Sequence, residues 1–289
     1  MPHGPITIPE HTQTLPKPTV MPPESFAQQG LPHYARSLAS IVTECHRRVQ
    51  HFLAEPHHPP SSHAAAAQRQ TRNTLKIVKD ALAQYTLPEL AISYNGGKDC
   101  LVLLVLFLAG LHKHPAIESG EVKKIKAFYG TPPDSFPAVE EFVRTSELYY
   151  HLDLLKYTTC PPDSTLKSCF QDYLDRNPTV KAIFVGTRRS DPYGEKLDYF
   201  ARTDSGWPDF MRIHSVVDWR YAEIWAFIKC LDLDYCILYD QGYTSLGGVK
   251  DTLPNPRLLM RDVMDGRRYQ PAHVLTEDED ERLGRPPRR

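Results

Sequence analysis

The chain has 289 residues, including 26 Pro and 15 Gly, with 41% hydrophobic and 24% charged residues and a formal net charge of −1. That length suits one large domain or two small ones at roughly 100–200 residues each, and the apolar fraction is enough for a buried core, which excludes a wholly disordered chain. The near-neutral balance supplies no global field for DNA, RNA or an anionic membrane. No nucleic-acid or membrane partner is therefore expected, and any anion must be met by local groups of Lys and Arg.

The longest apolar run, Leu101 to Leu111, has 11 residues, short of the ~20 needed to cross a bilayer. The N-terminus lacks a basic head with an apolar stretch behind it, and the first Arg is Arg36, so neither a secretory signal nor a mitochondrial presequence is read. A cytoplasmic monomer is expected. The six cysteines (Cys45, Cys100, Cys160, Cys169, Cys230 and Cys236) contain no C-x-x-C pair, which points to reduced thiols rather than a zinc site.

Residues 1–33 carry eight prolines and three charges (Glu10, Lys17, Glu24); with so many missing donors and restricted neighbours they predict an extended or disordered arm. Leu38, Ile41, Val42, Cys45, Val49, Phe52 and Leu53 recur at helical spacing within Tyr34 to Leu53. A His-, Pro- and Ala-rich linker is read over Glu55 to Ala67, with His57, His58 and His63 as solvated residues rather than ligands, and a second helix over Leu75 to Tyr85. From Leu90 the pattern changes. Short apolar runs (Leu90–Ser93, Ile125–Tyr129, Leu152–Tyr157, Ala182–Gly186, Met211–Val216) alternate with helical stretches (Asp99–Leu111, Ala138–Tyr150, Leu166–Arg176). Buried strands joined by crossover helices predict an α/β fold with a doubly wound, mainly parallel sheet, whose ligands sit at the carboxyl ends of the strands. The domain is expected over 34–265, with 266–289 as a C-terminal tail completing the site.

The first strand runs through Ser93-Tyr94-Asn95-Gly96-Gly97-Lys98-Asp99-Cys100 into an apolar helix. Two glycines let the backbone turn and approach a ligand, the helix start presents unpaired N–H groups, and Lys98 adds a full charge. Asp99 can cap the helix or hold a cation, and Ser93 and Asn95 offer neutral hydrogen bonds. A Walker A loop would need Gly at Ile92 and Ser or Thr at Asp99, and no G-x-G-x-x-G is present. A plain glycine turn is the alternative, but Lys and Asp ahead of a buried helix are costly without an anion or metal to use them.

This string resembles the PP-loop of ATP pyrophosphatases, which split ATP between the α- and β-phosphates, and the wider adenine-nucleotide α-hydrolase fold. Asn95 departs from the serine common in 3′-phosphoadenylylsulfate (PAPS) reductases, and the full string is similar to eukaryotic FAD synthases, that is FMN adenylyltransferases. Two further segments resemble that family: Gly186-Thr187-Arg188-Arg189-Ser190-Asp191-Pro192, and Asp204-Ser205-Gly206-Trp207-Pro208-Asp209-Phe210-Met211-Arg212. By themselves, the former reads as a phosphate-facing loop or as a solvated one, and the latter as a surface for a planar ring. In the last quarter, Pro271-Ala272-His273-Val274-Leu275 and Glu281-Arg282-Leu283-Gly284-Arg285 follow in the family's order, with His273 where an aromatic ring is usual.

The resemblance implies a PAPS reductase-like, Rossmann-like fold and an enzyme that joins FMN to the AMP part of ATP, giving FAD and pyrophosphate with Mg²⁺. It implies ATP contacts from Ser93, Tyr94, Asn95, Gly96, Gly97, Lys98, Phe128, Tyr129, Gly186, Thr187 and Arg188. Arg189, Asp191, Asp204, Trp207, Pro208, Asp209, Arg212 and Arg285 fall to the FMN side, with Asn95, Lys98, Asp99, Asp191, Arg282 and Arg285 as the catalytic set. No metal ligand is assigned. Lys98, Arg188, Arg189, Arg212, Arg282 and Arg285 are expected to converge on one polyphosphate. A PAPS reductase would need a nucleophilic Cys near the C-terminus, and none follows Cys236; a tRNA-modifying enzyme would need a basic face, which the charge balance opposes. A noncatalytic flavin or nucleotide sensor with the same pocket stays open.

Overall fold

The computed structural model describes residues 36–56, 59, 62–161, 163–264 and 267–286, so the arm predicted over 1–33 lies outside the described residues. Helix α1 (Leu38–Ala54) starts where Ser37 Oγ accepts the Ser40 N–H (3.2 Å) and buries Leu38, Ile41, Val42, Cys45, Val49 and Phe52, the stripe its spacing predicts. Helix α2 (His63–Gln84) begins twelve residues before the predicted Leu75 start, because Ser62 caps it and a run of alanine, a strong helix former, carries it on. The predicted linker is correspondingly shorter.

Strand and helix then alternate: β1 (Leu90–Ser93), α3 (Lys98–Gly110), the short α4 (Pro115–Glu118), β2 (Ile125–Thr131), α5 (Pro137–Tyr149), β3 (Leu152–Thr158), α6 (Leu166–Arg176) and β4 (Ala182–Phe184). There follow β5 (Phe200–Arg202), β6 (Met211–Ile213), α7 (Tyr221–Cys230) and a hairpin of β7 (Leu259–Met264) with β8 (Arg267–Tyr269). The main sheet has the order β3-β2-β1-β4-β6-β5, parallel except for β5, so the doubly wound, mainly parallel architecture is present as expected. Strand β5 was not predicted. Phe200 and Ala201 are half-buried and Arg202 exposed, and the strand pairs antiparallel with β6, closing the hairpin whose loop carries Trp207.

Alternate residues of the strands serve two cores. Leu90, Ile92, Ala127, Phe184 and Ile213 belong to the larger one, with α1, α2, α3, α5 and α7, while Ala91, Phe128 and Ile183 face Cys169, Phe170 and Tyr173 of α6. Helix α3 is apolar on every side because it lies between the sheet and α1, α2 and α7, with all of 101–109 buried. Helix α2 is tied to the loop after β6: Thr74 Oγ1 donates to the Ser215 carbonyl (2.8 Å) and accepts from Trp219 Nε1 (2.9 Å). No helix among the described residues is long and apolar enough to cross a membrane, and all six cysteines are free.

Because β2 and β4 flank β1 on opposite sides, the loops leaving β1 and β4 diverge and open a crevice at the carboxyl edge of the sheet. Leu104 is fully buried at the centre of α3. Leu104→Ala is expected to lower unfolding free energy by about 2–5 kcal/mol, whereas Leu148→Ala, at a position 63% exposed, should stay within about 0.5 kcal/mol, both measured by urea denaturation.

Candidate functional site

Two cavities occupy that crevice. The first, ≈ 290 Å³, is bordered by the β1–α3 turn (Ser93, Asn95, Gly97, Lys98, Asp99), by Tyr129 and Gly130 at the end of β2, by Gly186, Thr187 and Asp191 after β4, and by Ser245, Gly247, Glu281 and Arg282. The turn is built tightly. Gly96 has φ +73°, and a Cβ there would lie 2.8 Å from Val143 Cγ2, so neither the conformation nor the space admits a side chain. The Gly97 N–H donates to Asn95 Oδ1 (2.9 Å), and the Lys98 N–H to the Tyr239 hydroxyl (2.9 Å), which braces the start of α3 from the far end of the sequence.

Lys98 is 2% exposed and Arg188 wholly buried. Charges so placed need partners. Lys98 Nζ pairs with Asp99 (3.0 Å) and with Glu281; Arg188 pairs with Asp99 through Nε (2.9 Å), with Asp278 through Nη1 (3.1 Å) and with Glu281 through Nη2. Two cations thus meet three carboxylates. Burial opposes the charge on Lys98, but Asp99 and Glu281 outweigh it and hold the ammonium above its ordinary range. Burial likewise opposes ionisation of Asp99, yet Arg188 and Lys98 keep its carboxyl below the usual carboxylate range. The Arg188 N–H also donates to Asp191 Oδ2 (2.9 Å), fixing that carboxylate at the rim of the cleft.

The second cavity, ≈ 230 Å³, shares Val185 and Thr187 with the first. Its walls are mainly apolar: Leu166, Phe170, Leu197, Trp207 and Phe210, with Tyr193 at φ +68° and 90% exposed. Asp204, Arg212 and His214 are the ionisable residues that join Tyr193 in lining it. Arg212 faces Asp204 at 3.6 Å and donates from Nη2 to the Arg202 carbonyl (2.8 Å). His214 is buried, and desolvation together with Arg212 pushes its imidazole down to about 4.

The structure therefore sorts the expected residues. Ser93, Asn95, Gly97, Lys98, Asp99, Tyr129, Gly186, Thr187, Asp191 and Arg282 border the first cavity, and Asp204, Trp207 and Arg212 the second. Others lie apart. The Tyr94 ring is in the core, its hydroxyl donating to Ser146 Oγ (2.8 Å), and the Phe128 ring stacks on Phe170. Arg188 lies in the ion network beneath the cleft, and Arg189 pairs with Asp218 and donates to the Glu195 carbonyl (2.9 Å). Pro208 is buried with its carbonyl on Thr203, and Asp209 pairs with Arg202 (3.0 Å). Arg285 donates to Thr252 Oγ1 (3.0 Å) and lies over Gly247, where a Cβ would collide with its guanidinium. The six cations are thus distributed over separate surroundings rather than one. Sequence reading passed over Glu281, Asp278 and Tyr239. No local pattern marks the carboxylates, because Asp278 and Glu281 reach Arg188 and Lys98 from 90 to 183 residues away. The His273 ring packs edge-on against Trp225 at 6.0 Å, so an imidazole serves where the family pattern has an aromatic.

Comparison with known proteins bears on this arrangement. The model of the phosphoadenosine phosphosulfate reductase domain matches residues 89–254. A probable FAD synthase of Schizosaccharomyces pombe is 38% identical over 230 residues, covering 79% of this chain and 83% of that one. A probable FAD synthase of Caenorhabditis briggsae is 33% identical over 218 residues, and there the chain spans 40% of its relative's length. The crystal structure of Candida glabrata FMN adenylyltransferase in complex with FMN and the ATP analogue AMPCPP superposes with a TM-score of 0.78 at 28% identity, over 88% of this chain and 98% of that one. Sequence and structure agree over most of the chain: it belongs to the FAD synthase family, built on a PAPS reductase-type domain.

Proposed function

We propose that the chain transfers the adenylyl group of ATP to the phosphate of FMN, giving FAD and pyrophosphate. The observation that carries this reading is the pair of joined cavities, one polar and floored by the glycine turn, the other apolar and aromatic, meeting at Val185 and Thr187. A triphosphate suits the former and a tricyclic ring the latter, which brings the two phosphates together at the junction. An oxygen of the FMN phosphate attacks the α-phosphorus in line, the bond to the bridging oxygen breaks, and pyrophosphate leaves. A phosphate monoester has its second pKa near ~6, so it is dianionic at neutral pH and no general base is needed. Catalysis then rests on positioning and charge compensation.

Asn95, Gly97 and Lys98 border the triphosphate from the β1–α3 turn, and Arg282 from the C-terminal segment, where its Nη1 is 3.5 Å from Ser245 Oγ. A bound phosphate competes with Glu281 for Lys98. Adenine falls to the backbone at Tyr129 and Gly130, and Trp207 and Arg212 to the flavin. Among the described residues no group of three or more His, Cys, Asp or Glu is placed to hold a metal, and Asp99, Asp278 and Glu281 are engaged by cations. That donor set fits Mg²⁺ carried on phosphate oxygens with one protein carboxylate, Asp191, beside it; the ion would neutralise phosphate charge. On this reading 34–265 is the catalytic domain and 266–289 completes it. On this reading the chain works as a monomer in the cytoplasm.

Incubation with ATP, FMN and Mg²⁺ should yield FAD and pyrophosphate by chromatography, and chelation with EDTA should stop it; tight FMN binding with no product would establish a sensor instead. Lys98→Ala or Arg282→Ala is expected to reduce FAD formation at least roughly tenfold, ~1.4 kcal/mol of transition-state stabilisation, and unchanged turnover would remove that residue from the site. In the first cavity Asp99 is held low, Lys98 and Tyr239 high, and burial raises the Cys100 thiol to about 12. The expected kcat/KM for FMN is therefore level from pH 7 to about 8 and falls roughly tenfold per unit below ~6, as the substrate phosphate gains its proton.

A further inference from the structure

The two backbone N–H groups at the start of α3 are already engaged. That of Gly97 donates to Asn95 Oδ1 and that of Lys98 to the Tyr239 hydroxyl, each at 2.9 Å. A phosphate reaching this corner of the glycine turn therefore meets the side chain that has taken the Lys98 N–H, and not the N–H itself. Tyr239 lies in a 3₁₀ turn (Ile237–Gln241) after α7 and is 2% exposed. Its ring stands edge-on to Trp225 at 5.2 Å and to Tyr235 at 6.4 Å, which holds the hydroxyl at the turn. The residue lines the first cavity and not the second. A phenol hydroxyl has one proton besides its acceptor sites. Lys98 fills an acceptor site, and no acceptor for the proton is present among the described residues. A buried donor left without an acceptor, in the wall of a cavity suited to an anion, indicates a ligand oxygen.

We propose that the Tyr239 hydroxyl donates to an oxygen of the β,γ-diphosphate part of ATP and keeps that bond as pyrophosphate leaves. The inference rests on the ATP reading of the first cavity. On that reading the FMN phosphate meets the α-phosphate at the junction marked by Val185 and Thr187, so the part of the triphosphate that belongs to the first cavity alone is the β,γ part. Accepting from an N–H at the positive start of a helix polarises the O–H and makes it a stronger donor. As the bond from the α-phosphorus to the bridging oxygen breaks, its electron pair stays with pyrophosphate. A donor already aimed there stabilises that charge more in the transition state than in the bound substrate. No proton is transferred. Burial, and behind it the Asp99 carboxylate, raise the phenol well above its ordinary range, so the group donates and remains neutral. Tyr239 is on this account a catalytic residue that carries the field of the α3 start to the leaving group.

The test is steady-state kinetics of the full chain, wild type against Tyr239→Phe, which keeps the ring and loses the hydroxyl, with inorganic pyrophosphate and AMP as inhibitors. Tyr239→Phe is expected to lower kcat and to raise the inhibition constant of pyrophosphate, each at least about tenfold, while KM for FMN and the inhibition constant of AMP stay within about twofold. An unchanged kcat and pyrophosphate constant, or equal rises for pyrophosphate and AMP with a lowered melting temperature, would overturn the proposal and leave Tyr239 as a brace for α3. Tyr239→3-fluorotyrosine retains the hydroxyl and reports the contact even where Tyr239→Phe does not fold. Its fluorine NMR resonance is expected to shift on saturation with pyrophosphate and not with AMP; a resonance indifferent to pyrophosphate refutes the contact. A wild-type chain that makes no FAD would instead fail the functional reading itself, and the fluorine titration would then still decide whether Tyr239 meets pyrophosphate.

Discussion

Everything at the carboxyl edge of the sheet depends on how two buried cations are compensated. Lys98 follows β1 and Arg188 follows β4, neighbouring strands, so the topology forces a lysine and an arginine into the same dry space. Like charges there repel by several kcal/mol even at an effective dielectric of ~20. Asp99 bridges them, and Asp278 and Glu281 complete the set from the end of the described chain. Removing one member would leave an uncompensated buried charge at a cost of about 3–5 kcal/mol. The network therefore works as a fastener. It draws the C-terminal segment onto the sheet and so delivers Arg282, next in sequence to Glu281, to the rim of the cleft.

The same edge separates two kinds of recognition. Toward β1 the walls are backbone, carboxylate and amide, and a tight glycine turn brings the chain close; toward β5 and β6 they are aromatic. Val185 and Thr187, just past β4, belong to both. A strand of only three residues, β4, thus ends where the polar and apolar halves meet, and Val185 just past it donates its N–H to the Ile213 carbonyl of β6 (2.9 Å).

Much of this was legible in the residues. The alternation from Leu90 onward located the five parallel strands: β1, β2 and β4 are largely buried and read as apolar runs, while the edge strand β3 is marked by Leu152, Leu154 and Leu155 between exposed polar residues. The glycine turn announced itself by placing Lys and Asp ahead of an all-apolar helix. Strand β5 was illegible for the opposite reason: Phe200-Ala201-Arg202 is short, at an edge, and half-exposed, so no periodicity marks it. Helix α2 was begun too late because its first turns are alanine and polar residues that give no stripe. In the site, residue types predicted chemistry better than position. Arg188 and Arg189 are adjacent and look equivalent, but the chain turns one inward to three carboxylates and the other outward to Asp218, a distinction that depends on tertiary packing alone.

The ion network also orders events during synthesis. Glu281 follows Lys98 by 183 residues and Arg188 by 93. At 5–20 residues per second the latter gap is about 5–20 s. Through that interval a nascent sheet holds both cations with Asp99 as their nearby counter-charge, so water has to remain at the edge where the crevice will form. The cleft is consequently the last part of the molecule to dry, and it closes only when the carboxylates that seal it emerge.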